Sequence, residues 1–185
     1  MANINLPDPT ESNPFVPQKL AIFVWWAKLN RLPVRSELDN RGIDLHSTRC
    51  PVCDDDVETL NHSLLTCKIA IDIWTRIRKW WNIHNPNITN LADISKPQNP
   101  YLYSITGSLM WQAVVWITSY YIWKNSNEHT FGHLALSSPK IISEIQTKSF
   151  EWIQSRWKRG NLAWQNWLLN PKIFDVDPVA KVGIG

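Results

Sequence analysis

The sequence predicts a mainly α fold, a small stapled helical domain with a C-terminal helical extension, and three observations predict it. Apolar residues recur at helical spacing, most clearly in KIAIDIWTRIRKWWNI. There Ala70, Ile73, Trp74, Ile77 and Trp81 share one face, and Lys68, Asp72, Thr75, Lys79 and Asn82 the opposite one. Helix stop and start signals punctuate the chain at Pro33, Gly42, Ser138-Pro139 and Gly160. All three cysteines fall in the stretch 50–67, CPVCDDDVETLNHSLLTC.

With 185 residues, the chain is long enough for one domain or two small ones, since domains typically hold about 100–150 residues. A hydrophobic content of 44% and twelve tryptophans supply a sizeable core, stacking surfaces, or both. The net charge of +3 does not announce a nucleic-acid binder, but it is unevenly placed. Residues 1–83 carry ten basic and ten acidic side chains, and the remainder carries nine and six. An odd number of cysteines and an opening MANINLPDPTESNPF without a basic, apolar leader point to an intracellular protein of nucleus or cytoplasm, not a secreted one. The apolar run LMWQAVVWITSYYIW is broken by Gln112, Thr118 and Ser119 and is shorter than the roughly 20 residues of a membrane span, so it reads as a buried helix.

In chain order, residues 1–16 read as a flexible lead-in. A first helix follows Pro17, with Leu20, Phe23, Val24, Ala27 and Leu29 at near-helical spacing until Pro33. A short second helix over 34–40 ends at Gly42. Residues 17–83 form the first domain, closed by the amphipathic helix above. Residues 84–103, with three prolines, read as a linker. The extension, 104–170, holds a central helix over 104–127 and a last helix over 138–157, capped by Ser138-Pro139 and facing inward through Ile142, Ile145, Ser149 and Trp152. Residues 171–185 read as a disordered tail.

The cysteine stretch offers a full metal-ligand set. Cys50 and Cys53 can converge on one ion from a tight turn, and Thr59 can cap a helix whose first turn holds His62. Cys67 then completes four donors suited to tetrahedral Zn2+. Two other readings stand beside this one: a redox pair at Cys50 and Cys53, though no strand precedes them, and buried residues holding no metal. A closed shell of four leaves no position for a water or substrate, so a zinc ion here is structural. Asp54, Asp55, Asp56 and Glu58 would repel phosphates from this loop.

The segments FVWWAKLNRLP, LDNRGI, CPVC, ETLNH, CKIA and IWTRI together resemble the reverse transcriptase zinc-binding domain of plant non-LTR (LINE-type) retrotransposon proteins, over residues 17–83. VVWITSYYIWKNSNEHTF resembles the tail that follows it. Trp26 and Ser126 stand where the family often has arginine, and Val34 where it often has threonine, which removes a helix cap. The resemblance implies a zinc-binding, nucleic-acid-associated module working beside an RNA-directed DNA polymerase. The chain shows no Y-x-D-D pair and no carboxylates spaced for a nuclease, so it is expected to have no catalytic residues and no small-molecule substrate.

Two basic groups are candidates for phosphate contact: Arg76, Arg78 and Lys79, and Arg156, Lys158 and Arg159, the latter near Trp152, Trp157, Trp164 and Trp167. Interleaved cations and aromatics suit single-stranded nucleic acid, whereas the bland alternative makes the tryptophans core and the cations a solvated face. The expected partner is RNA or DNA, with no membrane. The alternatives are a structural or protein-interaction module docking onto a reverse transcriptase or another protein, and a non-functional retroelement remnant.

Overall fold

The computed structural model describes residues 12–83, 88–95, 104–132, 136–158 and 161–174. Its elements are α1 (Gln18–Lys28), α2 (Arg35–Asn40), a π-helical turn (His62–Thr66), α3 (Lys68–Trp80), α4 (Leu91–Ser95), α5 (Ile105–Thr130), α6 (Ser138–Arg156), α7 (Trp164–Leu169) and a 3-10 turn (Pro171–Phe174). Among the described residues no strand forms, and the one strand-like feature is an isolated antiparallel bridge between Arg49 and Val57. The fold is mainly α, as the periodicity predicts.

Local chemistry sets the helix ends. After α1, α2 and α3 the chain turns through a left-handed residue, Asn30 (φ 52°), Gly42 (φ 78°) and Asn82 (φ 48°). In each case the next amide reaches back to the last turn: Arg31 to Trp26, Ile43 to Leu38, Ile83 to Arg78, at 2.8–3.1 Å. Asparagine and glycine are the residues that adopt this conformation at least cost, and the paired bonds satisfy carbonyls the helix leaves free. At the start of α5 the Gly107 amide donates to Ser104 Oγ at 2.8 Å.

Helix α5 is the axis of the molecule. It is apolar on all sides and packs against α1, α4, α6 and the π-helical turn. Its buried hydroxyls are satisfied along the helix, Thr118 donating to the Val114 carbonyl and Ser119 to that of Val115. No described helix is long and apolar enough to cross a membrane. Around α5 one continuous core runs from Phe15 to Trp167.

This core crosses the expected boundaries. The segment read as a linker contains α4, which packs on α1 and α5, and the Trp116 indole donates to the Ile94 carbonyl at 2.9 Å. The end of the lead-in is anchored too: Asn13, Phe15 and Val16 are buried, and Asn13 Nδ2 donates to Leu109 O at 2.7 Å. Pro171–Phe174, expected to be disordered, folds back so that Phe174 meets Trp167 at 6.3 Å between ring centres. Residues 1–11 and 175–185, and Gly160, lie outside the described residues. These differences share one cause: proline and polar residues mark turns, and their density does not reveal that neighbouring apolar residues are claimed by distant helices.

Two helix faces are shifted. Leu29 lies beyond the end of α1 and is exposed. In α6 the buried stripe is Ile141, Ile145, Ser149 and Ile153, while Ile142 and Trp152 are half-buried. A strict four-residue ridge therefore meets α5 and α3, and it selects the slimmer side chains.

Tryptophan supplies the joints between helices. Trp81 is fully buried at the end of α3, 5.4 Å from Trp111 of α5 and 5.9 Å from Trp167 of α7. Trp80 Nε1 donates to the Trp167 carbonyl, and Trp167 Nε1 to that of Gln146 in α6. Truncating Trp81 would empty the point where three helices meet. Trp81→Ala is expected to lower the unfolding free energy by about 3–5 kcal/mol in denaturant titration, while exposed Trp26→Ala changes it by less than about 1 kcal/mol.

Candidate metal centre

Residues 48–58 form a small knuckle. Cys50 N donates to Asp56 O at 2.8 Å, Glu58 N to Thr48 O at 2.9 Å, and Asp54 N to Cys50 O at 2.9 Å. The turn closes through Asp54 at φ 56°, a conformation aspartate tolerates better than most residues. Arg49 Nη1 clasps the Asp54 carbonyl at 2.6 Å, and Arg35 Nη1 the Arg49 carbonyl at 2.9 Å. Cys50 and Cys53 are thereby held on the inner side of the turn, both buried.

His62 and Cys67 come from the other side. Five residues along an α-helix are about 140° apart around its axis, which would point the two side chains away from each other. The chain resolves this with the π-helical turn, in which Cys67 N donates to His62 O at 2.8 Å. That wider turn brings both donors onto one side. Thr59 caps its start as expected, Oγ1 accepting from His62 N at 3.0 Å. Cys67 is the residue preceding α3, and the hydrogen bond from Cys50, helped by the Ile69 and Ala70 amides of the first turn, lowers its thiol below the ordinary range.

The four donor atoms of Cys50, Cys53, His62 and Cys67 lie within 4.8 Å of one another. Cys50 Sγ is 4.0 Å from Cys67 Sγ, and Cys53 Sγ 3.3 Å from His62 Nε2. A tetrahedral ion with sulfur at about 2.3 Å and nitrogen at about 2.0 Å separates its ligands by roughly 3.5–3.8 Å, so the donors need only small shifts to fit. The imidazole is oriented to match. Its Nδ1 faces Thr66 Oγ1 at 3.4 Å and Asp56 Oδ2 at 3.6 Å, which leaves Nε2 as the donor directed at the sulfurs. The weak hydrogen bond between Cys50 and Cys67, with burial, raises Cys50 far above the ordinary thiol range while Cys67 is lowered. Buried sulfurs crowded in this way fit a cation among them. All four candidate ligands are brought together, and no fifth donor joins them among the described residues.

The acids around the loop divide into two kinds. Asp54, Asp55 and Asp56 are exposed, and Asp55 pairs with Lys68 at 3.0 Å. That bond raises the Lys68 ammonium above its ordinary range. Glu58 is buried at 4% exposure. Its Oε2 accepts from Arg35 N at 3.1 Å, and its Oε1 from Ser126 Oγ of α5. Sequence reasoning counted Glu58 among the repelling acids and missed this role. Val34 supplies no cap to α2, and Glu58 supplies it from 23 residues away. Ser126, at a position where the sequence resemblance leads one to expect arginine, meets the carboxylate with its hydroxyl.

The described basic candidates are carried on α3 and at or just beyond the end of α6. Arg76 Nε is 3.0 Å from both oxygens of Asp72, and Arg78 donates to Thr75 Oγ1, both along α3. Lys79 is exposed nearby. At the end of α6 the exposed Arg156 donates to the Trp152 carbonyl at 3.2 Å, Lys158 is exposed, and Arg159 lies outside the described residues. The tryptophans near them mostly serve packing. Trp167 is fully buried, Trp164 packs edge-on to Phe150 at 5.0 Å, Trp157 meets Phe15, and Lys19 lies 5.5 Å over Trp152.

Residues 12–74 match the model of the family described as zinc-binding in reverse transcriptase. The match covers all four donors and ends within α3, before Arg76. No curated protein and no solved structure matches the chain.

Removing the Glu58 carboxylate would strand the Arg35 amide and the Ser126 hydroxyl in the interior. Glu58→Ala is expected to cost about 1–3 kcal/mol in chemical denaturation, and Glu58→Gln less, because the amide oxygen can still accept one bond.

Proposed function

We propose that this chain is a zinc-stapled module that binds RNA or DNA beside a reverse transcriptase, does no chemistry of its own, and derives from a plant LINE-type element. The observation that carries this reading is the family match across a buried shell of three sulfurs and one imidazole. Zinc is the metal favoured by a tetrahedral sulfur and nitrogen donor set. Four protein ligands leave no open position, so the ion holds the knuckle to α3 and activates nothing. Such a protein acts in the nucleus or cytoplasm, where thiols stay reduced.

The phosphate contacts are assigned to Arg76, Arg78 and Lys79 on α3 and to Arg156, Lys158 and Arg159 at and beyond the end of α6. A second reading, a module that docks onto a polymerase or another protein, is favoured by the pairing of Arg76 with Asp72 and by the burial of the tryptophans.

Metal analysis of the purified protein is expected to give about one zinc per chain. Cys53→Ser should lower both the zinc content and the helical circular dichroism, as should a strong chelator. Full zinc retention in the variant would overturn the ligand set.

Fluorescence anisotropy with single-stranded RNA, single-stranded DNA and duplex is expected to show affinity of roughly micromolar order that falls with salt. Neutralising Arg156, Lys158 and Arg159 together should flatten the salt dependence by about 0.7 for each phosphate of a single strand that is no longer neutralised. Absence of binding to any of the three nucleic acids at low salt would remove this reading and favour protein docking.

A further inference from the structure

Helix α1 leaves one flank uncovered. Trp26 is 45% exposed, an unusual position for an indole in a protein that hides five of its tryptophans. The reversal at Asn30 explains what stands beside it. With Asn30 in the left-handed conformation, Arg31 N bonds back to the Trp26 carbonyl at 2.8 Å, and the chain turns across the end of α1 toward Pro33. At the end of α2 a second reversal, through Gly42, sets Arg41 on the same side. The result is an open groove of about 750 Å³ lined by Trp25, Trp26, Arg31, Pro33 and Arg41.

Its composition is selective. Two indoles and a proline ring make the walls, two guanidinium groups supply the charge, and no acidic residue lines it. Arg31 and Arg41 are exposed, and neither side chain is engaged in an ion pair among the described residues. Arg76 of α3 and Lys148 of α6, by contrast, are held by Asp72 and Glu151. Flat apolar surfaces beside free planar cations suit a ligand that alternates flat rings with anions. Single-stranded nucleic acid has that chemistry: a base stacks on an indole while flanking phosphates meet the arginines. Duplex bases, already stacked on each other, offer no face to Trp26.

We infer that the Trp25, Trp26, Arg31, Pro33 and Arg41 groove is a base-stacking site for single-stranded RNA or DNA, separate from the metal shell and from the basic ends of α3 and α6. The inference rests on the nucleic-acid reading above and places the unpaired bases in the segment that also holds the metal. The basic helices then contribute charge along the strand, whereas the groove confers preference for single strands.

The test uses the full zinc-loaded chain with fluorescent 15-nucleotide oligouridine, the matching oligothymidine and a mixed-sequence duplex. Trp26→Ala is expected to weaken both single strands by roughly tenfold or more and to leave duplex binding within about twofold. Arg31→Gln with Arg41→Gln should reduce the single-strand salt slope by about 1.4, from two phosphate contacts. Circular dichroism and zinc content, expected to be unchanged, show that the variants remain folded. If the wild-type chain binds single strands and both variants bind them equally well, the groove is overturned while the nucleic-acid reading stands. If the wild-type chain binds none of the three probes, both fall. If Trp26→Ala instead abolishes self-association in sedimentation velocity and leaves oligonucleotide affinity intact, the groove belongs to a second copy of this chain and the inference is wrong.

Discussion

Three sulfurs and an imidazole nitrogen confined within 4.8 Å, with almost no access to water, impose a constraint that the surrounding chain is built to meet. Without a cation the sulfurs cannot all ionise, because neighbouring thiolates repel one another and burial disfavours the charged form. The knuckle, the widened turn before α3 and the clasps from Arg35, Arg49 and Lys68 hold the four donors at their shared centre. A bound ion would convert that crowding from a liability into the tie between a loop and a helix.

The donors do not sit in a free-standing module. Leu64 of the π-helical turn is fully buried, its carbonyl accepts from the Trp74 indole at 2.8 Å, and the turn packs on α5. Helix α6 lays its isoleucine ridge against α5 as well, and the indoles of α3, α5 and α7 join at one end. The apolar side chains that flank the metal loop are thus shared with helices from the second half of the chain. Burial per residue rises with size, and one larger core excludes water better than two small ones.

Much of this could be read from residue spacing, and what could not has a consistent cause. The four donors, the amphipathic face of α3, the buried character of α5 and the glycine stop after α2 follow from local pattern, because each depends on residues close together along the chain. The widening between His62 and Cys67 was not legible, since helix propensity does not distinguish five-residue from four-residue bonding. Neither was the role of Glu58, whose partners are Arg35 and Ser126, one of them 68 residues distant. Tryptophans divide the same way. Sequence shows their number, but whether an indole is core, as at Trp167, or surface, as at Trp26, depends on which helices pack around it.

The bond between Ser126 and Glu58 also bears on inheritance. Genes are copied, truncated and spliced, and residues 12–74 are the part of this chain that matches a family model. A fragment cut to that length would carry every metal donor and lose the hydroxyl that satisfies Glu58, along with the α5 surface on which its helices rest. The packed unit around the metal loop is therefore longer than residues 12–74. The second half of the chain is less an appendage than the floor on which the metal loop closes.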